Sequence, residues 1–258
     1  MRTIRLLIQY DGTDFVGWQR QDRGRSIQGV IEDALAKIEG RPVTLHGAGR
    51  TDAGVHAAGQ VASARLATPL DDETLARALN ANLPPTVRVF GLVTAADDFH
   101  ARFNARSKTY EYRIWNGAAV PPFIRQFVWH VPQPLAVELM QGAADALVGE
   151  HDFAAFQRTG STVHTTIRTV TVARWNTHRI SWLPPLGGSS DGGRLLAFEM
   201  RGEGFLRHMV RAVTGTLVEI GLGRRPTVDI PRLLASRDRS QAGPTAPACG
   251  LFLMNVEY

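Results

Sequence analysis

The chain has 258 residues, 44% of them hydrophobic, which excludes a disordered protein and suits one large or two modest domains. No apolar run reaches the roughly 18 residues of a bilayer-crossing helix, so a cytoplasmic protein with no membrane partner is expected. A formal net charge of +5 and a sequence pI of about 10.0 point to a polyanionic partner such as nucleic acid.

Of the 29 basic residues only Lys37 and Lys108 are lysine, leaving 29 − 2 = 27 arginines. Arginine suits bidentate phosphate contacts and stacking on bases, although a GC-rich coding sequence produces the same excess. The single cysteine, Cys249 in "PACGLFL", excludes an internal disulfide and reads as a small core residue. The eight histidines form no H-E-x-x-H pattern and pair with no cysteine, so neither a metal nor any other cofactor is expected.

In chain order, "TIRLLIQY" (3–10) reads as a strand that ends at the turn signal Asp11-Gly12. Ser26 can cap a helix whose apolar positions Ile27, Val30, Ile31, Ala34, Leu35 and Ile38 recur at helical spacing, with Gly40 as its stop. "PVTLHG" and "GQVASARL" are expected as strands on either side of the stretch "GAGRTDAGVHAAGQVA" (47–62). Asp71 or Asp72 opens a second helix through Leu75 and Leu79, Pro84-Pro85 closes it, and "TVRVFGLVTA" is a further strand.

From Lys108 the order recurs: strand "KTYEYRIW", helix about 134–148, strands "IRTVTVARWN" and "RLLAFEMR", helix about 205–220, a short helix near 229–236 and a last strand "GLFLMNVEY". The fold expected is α+β, with two ferredoxin-like (β-α-β-β-α-β) halves, their antiparallel sheets side by side and a basic cleft between them. The boundary is expected at 104/105, with an N-terminal domain over 1–104 and a C-terminal domain over 105–258. "LPPLGGSSDGG" (183–193) reads as a long exposed hairpin loop.

Three stretches carry chemistry. In "GAGRTDAGVHAAGQVA" (47–62) Asp52 is the one carboxylate, two residues after Arg50 and between glycines that permit sharp turns and close ligand approach. An ionised Asp beside an arginine can act as base or nucleophile, while an Asx-turn accepting backbone N–H groups is the structural alternative. In "FHARFNARSKTYEYRI" (99–114) Arg102, Arg106, Lys108 and Arg113 interleave with Phe99, Phe103, Tyr110 and Tyr112. That pattern fits bases stacked on rings and phosphates held by cations, and equally a half-buried strand with a solvated charged face. In "GFLRHMVRAVTGTLVEIG" Arg207 and Arg211 share a helix face, with Arg207 in the first turn, where the dipole disfavours a cation by roughly 0.3–1 kcal/mol. A phosphate or carboxylate partner and simple solvation are both open readings of that placement.

Taken together, "YDGTDFVGWQRQ" (10–21), "GRTDAGVHA" (49–57), "FHARFNA" (99–105), "KTYEY" (108–112), "LVGEHDFAAF" (147–156) and "GFLRHMVR" (204–211) resemble, in order and spacing, the tRNA pseudouridine synthase A family. The resemblance spans essentially the whole chain. It implies a homodimeric enzyme, free of metal and organic cofactor, that isomerises uridine to pseudouridine at positions 38–40, on the 3′ side of the tRNA anticodon stem-loop. On the matching positions it implies Asp52 as catalytic carboxylate, Tyr110 as the ring that packs on the flipped uracil, Arg211 as the basic partner of the aspartate, and Arg50 as an aid to base extrusion. Arg207 and Lys108 are candidate substrate-binding cations. The loop at 183–193 and Glu203 just before the arginine helix depart from the family pattern. Thiol addition to the base would need a polar, electropositive cysteine, which Cys249 is not, and a non-catalytic RNA-binding α+β protein is the alternative that makes Asp52 dispensable.

Overall fold

The structure is a computed structural model that describes residues 1–160, 163–178 and 193–258. Residues 183–192 of the Gly/Ser-rich loop expected from the sequence lie outside the described residues. The chain divides into two compact units, Met1–Lys108 with Phe252–Tyr258, and Thr109–Leu251. The class is α+β with mostly antiparallel pairing, as the order of elements led us to expect.

The first unit follows the chain order strand β1 (Arg2–Tyr10), helix α1 (Ile27–Glu39), strand β2 (His46–Gly47), strand β3 (His56–Leu66), helix α2 (Asp72–Asn82) and strand β4 (Val87–Ala95). β1 lies between β4 and β3, antiparallel to both, and β2 flanks β3, so the β-α-β-β-α-β reading of this half holds. Alternation along β1 decides which face is covered: Ile4, Leu6 and Ile8 have no exposed surface, whereas Arg5 and Leu7 point outward. α1 and α2 bring Ile27, Ile31, Leu35, Leu75 and Leu79 to the core, each worth about 1.5–3 kcal/mol when fully buried.

Local chemistry sets the helix ends. Ser26 accepts from the N–H of Gly29 and Asp71 from that of Thr74, and Gly40 closes α1 at a φ of 69°, a left-handed conformation that an L side chain adopts only with strain. The "PVTLHG" segment departs from the expected strand, since only His46 and Gly47 pair with β3. At Leu45 the ladder groups are already taken, its N–H by the Glu32 carboxylate (3.0 Å) and its C=O by the Gln28 amide (2.9 Å), both on α1.

At the last residue of α1, the Glu39 side chain, only 1% exposed, accepts from the N–H groups of Ala67 (2.9 Å) and Thr68 (2.7 Å) and from Arg41 (3.4 Å). Burial alone would raise its pKa, but these donors outweigh burial and hold the carboxyl below its usual range. A group depressed in this way contributes stability above its unfolded value, near pH 4, and loses it as pH falls through the folded value. The melting-temperature gap between the wild type and Glu39→Gln should be full at about pH 6–7 and close below about pH 4; a gap indifferent to pH would contradict the assignment.

The second unit holds strands β5 (Ser107–Asn116, whose first two residues belong to the first unit), β6 (Trp129–Val131), β7 (Gly149–Asp152), β8 (Ile167–His178) and β9 (Arg194–Gly202). With them are helices α3 (Val137–Ala144), α4 (Met209–Gly221) and α5 (Asp229–Ser236). The sheet order is β5-β9-β8-β7, β8 running antiparallel to β7 and β9, while β6 pairs parallel with β5. β6 and β7 are three and four residues long, too short to leave a period in the sequence. α3 is shorter than expected and runs into a 3-10 turn at Asp145–Leu147. Tyr112, Phe153, Phe156 and Phe198 fill the core of this unit with no exposed surface.

The last strand, β10 (Leu251–Glu257), starts at the end of the second unit and continues into the first. There Phe252 and Leu253 run parallel beside His56 and Ala57 of β3, and Phe252 stacks on the His56 ring at 4.7 Å.

Candidate active site

Asp52 sits half-buried on the loop that leads into β3, with Arg50 exposed two residues before it. The loop is clamped from several sides. The N–H of Trp18 donates to the Thr51 carbonyl (3.0 Å), that of Gly54 to Phe15 (3.4 Å), and that of Val55 to the Asp52 carbonyl (3.1 Å). The last bond closes the turn over 52–55 through the main chain.

The segment behind it explains the glycines of "YDGTDFVGWQ". A Cβ on Gly12 would lie 2.0 Å from the Val55 carbonyl oxygen, and one on Gly17, at φ +111°, 2.7 Å from that of Thr51. Only residues without a side chain let this segment pack backbone to backbone against the Asp52 loop. Gly54, at φ +75°, turns the chain into β3.

Beneath the loop lies a buried polar cluster. The hydroxyls of Tyr10 and Thr51 share a 2.8 Å hydrogen bond, and the Gln60 amide donates to the Gly49 carbonyl (2.8 Å) and, at 3.5 Å, toward the Tyr10 oxygen. Tyr10, Thr51 and Gln60 are 4%, 7% and 0% exposed. Burial pushes the Tyr10 phenol up to about 12, with the bonds to Thr51 and Gln60 pulling the other way, so it remains a neutral donor at any working pH. The sequence reading gives these three residues no role. The signal available in it is Gln60, an amide in strand register with the apolar Ala62, Ala64 and Leu66.

Lys108 is half-buried on the first unit, and burial pushes its pKa down, with the nearby Arg102 charge adding to the effect. Along 99–108, Arg102, Phe103 and Arg106 are exposed, Phe103 at 76%, with the Arg102 guanidinium 5.7 Å from its ring centre.

In the second unit Tyr110 is 8% exposed and meets the Phe205 ring edge-on at 5.0 Å. This contact joins the "KTYEY" strand to the "GFLRHMVR" segment. The arginine helix corrects the sequence expectation, because α4 begins at Met209, not near 205. His208 caps it at φ 66°, and the Arg207 carbonyl accepts from Arg158 (3.0 Å). Arg207 is therefore exposed ahead of the helix, and Arg211 is the cation in the first turn, where the dipole disfavours it. Its guanidinium Nε donates to the Ala246 carbonyl (2.8 Å).

The Cys249 Sγ donates to the Val128 carbonyl at 3.4 Å, and burial pushes the thiol up, with the Arg211 charge opposing only in part. A thiol held protonated is a poor nucleophile, which disfavours addition to a base through Cys249. Among the described residues no group of three or more His, Cys, Asp or Glu side chains is arranged to hold a metal ion, and no helix is long and apolar enough to cross a membrane.

A family model described as tRNA pseudouridine synthase matches residues 6–104 and 143–258. Those segments include Arg50, Asp52, Arg207 and Arg211, while Lys108 and Tyr110 fall in the stretch between them. The tRNA pseudouridine synthase A of Syntrophotalea carbinolica is 43% identical over 258 residues, covering 100% of this chain and 97% of that protein. That of Nitratidesulfovibrio vulgaris is 43% identical over 278 residues with 100% of both chains covered, and that of Streptococcus gordonii 40% over 261 residues with 100% and 99% covered.

Proposed function

Because the chain belongs to the tRNA pseudouridine synthase family and isomerises uridine to pseudouridine in tRNA, we propose that Asp52 is the carboxylate that carries the reaction. The observation that supports this most is a half-exposed Asp52 side chain on a loop whose main chain is anchored at Gly49, Thr51, Gly54 and Val55. A catalytic group needs that combination of reach and fixed geometry.

In the isomerisation the N1–C1′ bond of the uridine breaks, the uracil rotates, and a C5–C1′ bond forms. The C5 proton is lost and N1 gains one, so nothing is oxidised and no water is consumed. One ionised carboxylate serves, either by adding to C1′ or by taking the C2′ proton to give a glycal. Extruding the base from the stem costs a few kcal/mol, which phosphate contacts and ring stacking offset.

On the pattern of the family, Tyr110 is the ring proposed to pack on the uracil, Arg211 the basic partner of the carboxylate, and Arg50 the residue that helps the base out. Arg207 and Lys108 are proposed to hold the RNA backbone. The exposed Arg50 and Arg207 suit contact with phosphates. Reaching a uracil would require the 8%-exposed Tyr110 to gain surface, and a change in its contact with Phe205 would do this.

We further propose that the target uridines are at tRNA positions 38–40, that neither metal nor organic cofactor takes part, and that the enzyme is a cytoplasmic homodimer. Mapping pseudouridine in tRNA from cells that lack the protein tests the first point. Loss should be confined to positions 38–40 and return with the wild-type chain; an unchanged map would leave a non-catalytic RNA-binding protein as the better reading. Equilibrium sedimentation should give twice the chain mass at working concentration, and a monomer there would refute the dimer.

A further inference from the structure

Asp52 can only be as well placed as the residue before it, since consecutive Cα atoms are about 3.8 Å apart and the peptide between them is planar. Thr51 is held at two points: its carbonyl accepts from Trp18 (3.0 Å), and its hydroxyl is bonded to Tyr10 (2.8 Å). On the other side of Arg50, Gly49 is held by Gln60 (2.8 Å). Gly49 offers a carbonyl, which only accepts, so the Gln60 atom facing it must be the amide nitrogen.

The direction of the cluster follows. Gln60 donates to Gly49 and lies at donor distance from the Tyr10 oxygen, which leaves the phenol hydrogen for Thr51. The pairing of β1 with β3 is irregular at this place: Ile8 faces Gln60 and Tyr10 faces Ala57, so β3 carries one extra residue between them. A bulge of this kind re-aims the side chains around it, and here it lies where Tyr10 and Gln60 approach the loop. An apolar core would have filled these positions with aliphatic residues at lower desolvation cost, so three buried polar side chains call for a role beyond packing.

We propose that Tyr10, through its bond to Thr51, is a positioning residue for the Asp52 carboxylate, with Gln60 fixing the other end of the same loop. This rests on Asp52 being the catalytic carboxylate. Tyr10 touches neither substrate nor the reacting atoms in this scheme; it holds the aspartate in register, and loss of that register is paid in turnover, not in affinity. Displacement of a reacting group by about 1 Å can cost on the order of 100-fold in rate.

The test uses two substitutions that cut the same bond from opposite ends, Tyr10→Phe and Thr51→Val, each close to the native shape. For full-length protein acting on tRNA, each should lower kcat by about 10- to 100-fold with KM changed less than about 2-fold, and the double variant should be no slower than the worse single one. Tyr258→Phe, which removes a hydroxyl bonded to the Ala101 carbonyl (2.7 Å) in the same unit, should leave kcat unchanged and so accounts for the loss of a hydroxyl as such. Wild-type kcat in either single variant, a KM that rises in step with the fall in kcat, losses that multiply in the double variant, or an equal loss in Tyr258→Phe would each overturn the proposal. Asp52→Asn, assayed beside them, separates the two ideas: if it remains active the catalytic reading of Asp52 fails, whereas an inactive Asp52→Asn with a fully active Tyr10→Phe sinks only the positioning role.

Discussion

Asp52→Asn should abolish pseudouridine formation while leaving the fold and tRNA affinity largely intact. The amide keeps the size of the carboxylate, and the turn it sits in is closed by the Val55 N–H on the Asp52 carbonyl oxygen, a bond the substitution does not touch. What disappears is the negative charge, and with it the agent of both addition to C1′ and proton removal from C2′. Deleting such a group lowers rates by several orders of magnitude. Affinity should hold or rise, since a charge that repels phosphate has gone. Tritium release from C5-labelled uridine in tRNA reads the chemistry, filter retention reads binding, and a thermal melt reads the fold. Retained turnover would return Asp52 to a structural role, as would a joint loss of binding and melting temperature.

Gly17→Ala should lower both stability and turnover, because its methyl would press on the Asp52 loop itself. Its φ of +111° is a conformation that L side chains rarely adopt, and the added Cβ would stand 2.7 Å from the Thr51 carbonyl oxygen and 3.1 Å from the Asp52 carbonyl carbon. Both obstacles are backbone, so no side chain can swing aside. Strain and overpacking of this kind cost about 1–3 kcal/mol each, which corresponds to a melting temperature lower by roughly 4–10 °C for a chain of this size. Relief would come from shifting Thr51 and Asp52, so kcat should fall by about 100-fold or more even at temperatures where the variant is folded. Gly40→Ala is the useful contrast: it shares a positive φ (69°), but its Cβ would meet nothing within 4 Å, so it should lose some stability and keep its kcat. Equal kcat losses in the two variants would mean that general destabilisation, not displacement of the loop, governs activity.

The arginine helix shows how a sound local argument can attach to the wrong residue. A cation in a first turn is disfavoured wherever it occurs, but the periodicity of "GFLRHMVR" does not mark where the turn begins. The left-handed His208 and the use of the Arg207 carbonyl by Arg158 start α4 at Met209, and the same electrostatic reasoning then applies to Arg211. Tyr110 shows where local reasoning stops. Alternation in "KTYEYRI" predicts one inward and one outward row, and Tyr110, Tyr112 and Ile114 are buried on one row as it requires, but the edge-on Phe205 ring that covers Tyr110 comes from almost a hundred residues away in the chain.

What the sequence by itself determined is whatever short-range physics controls. It includes β1 from its alternation, α1 from its apolar spacing with Ser26 and Gly40 at the ends, α2 from its Asp71 cap, and Asp52 as the lone carboxylate of a glycine-bounded motif. Tertiary structure alone decided that "PVTLHG" would shrink to a two-residue strand, that α4 would begin late, and that Tyr10, Thr51 and Gln60 would meet beneath the Asp52 loop. In each of these a backbone or buried polar group takes its hydrogen-bond partner from a distant segment: Glu32 for Leu45, Arg158 for Arg207, Tyr10 for Thr51. Buried polar groups must be paired somewhere, but residue spacing names only the partners within a turn or a strand, and the remote ones exist only once the chain has folded.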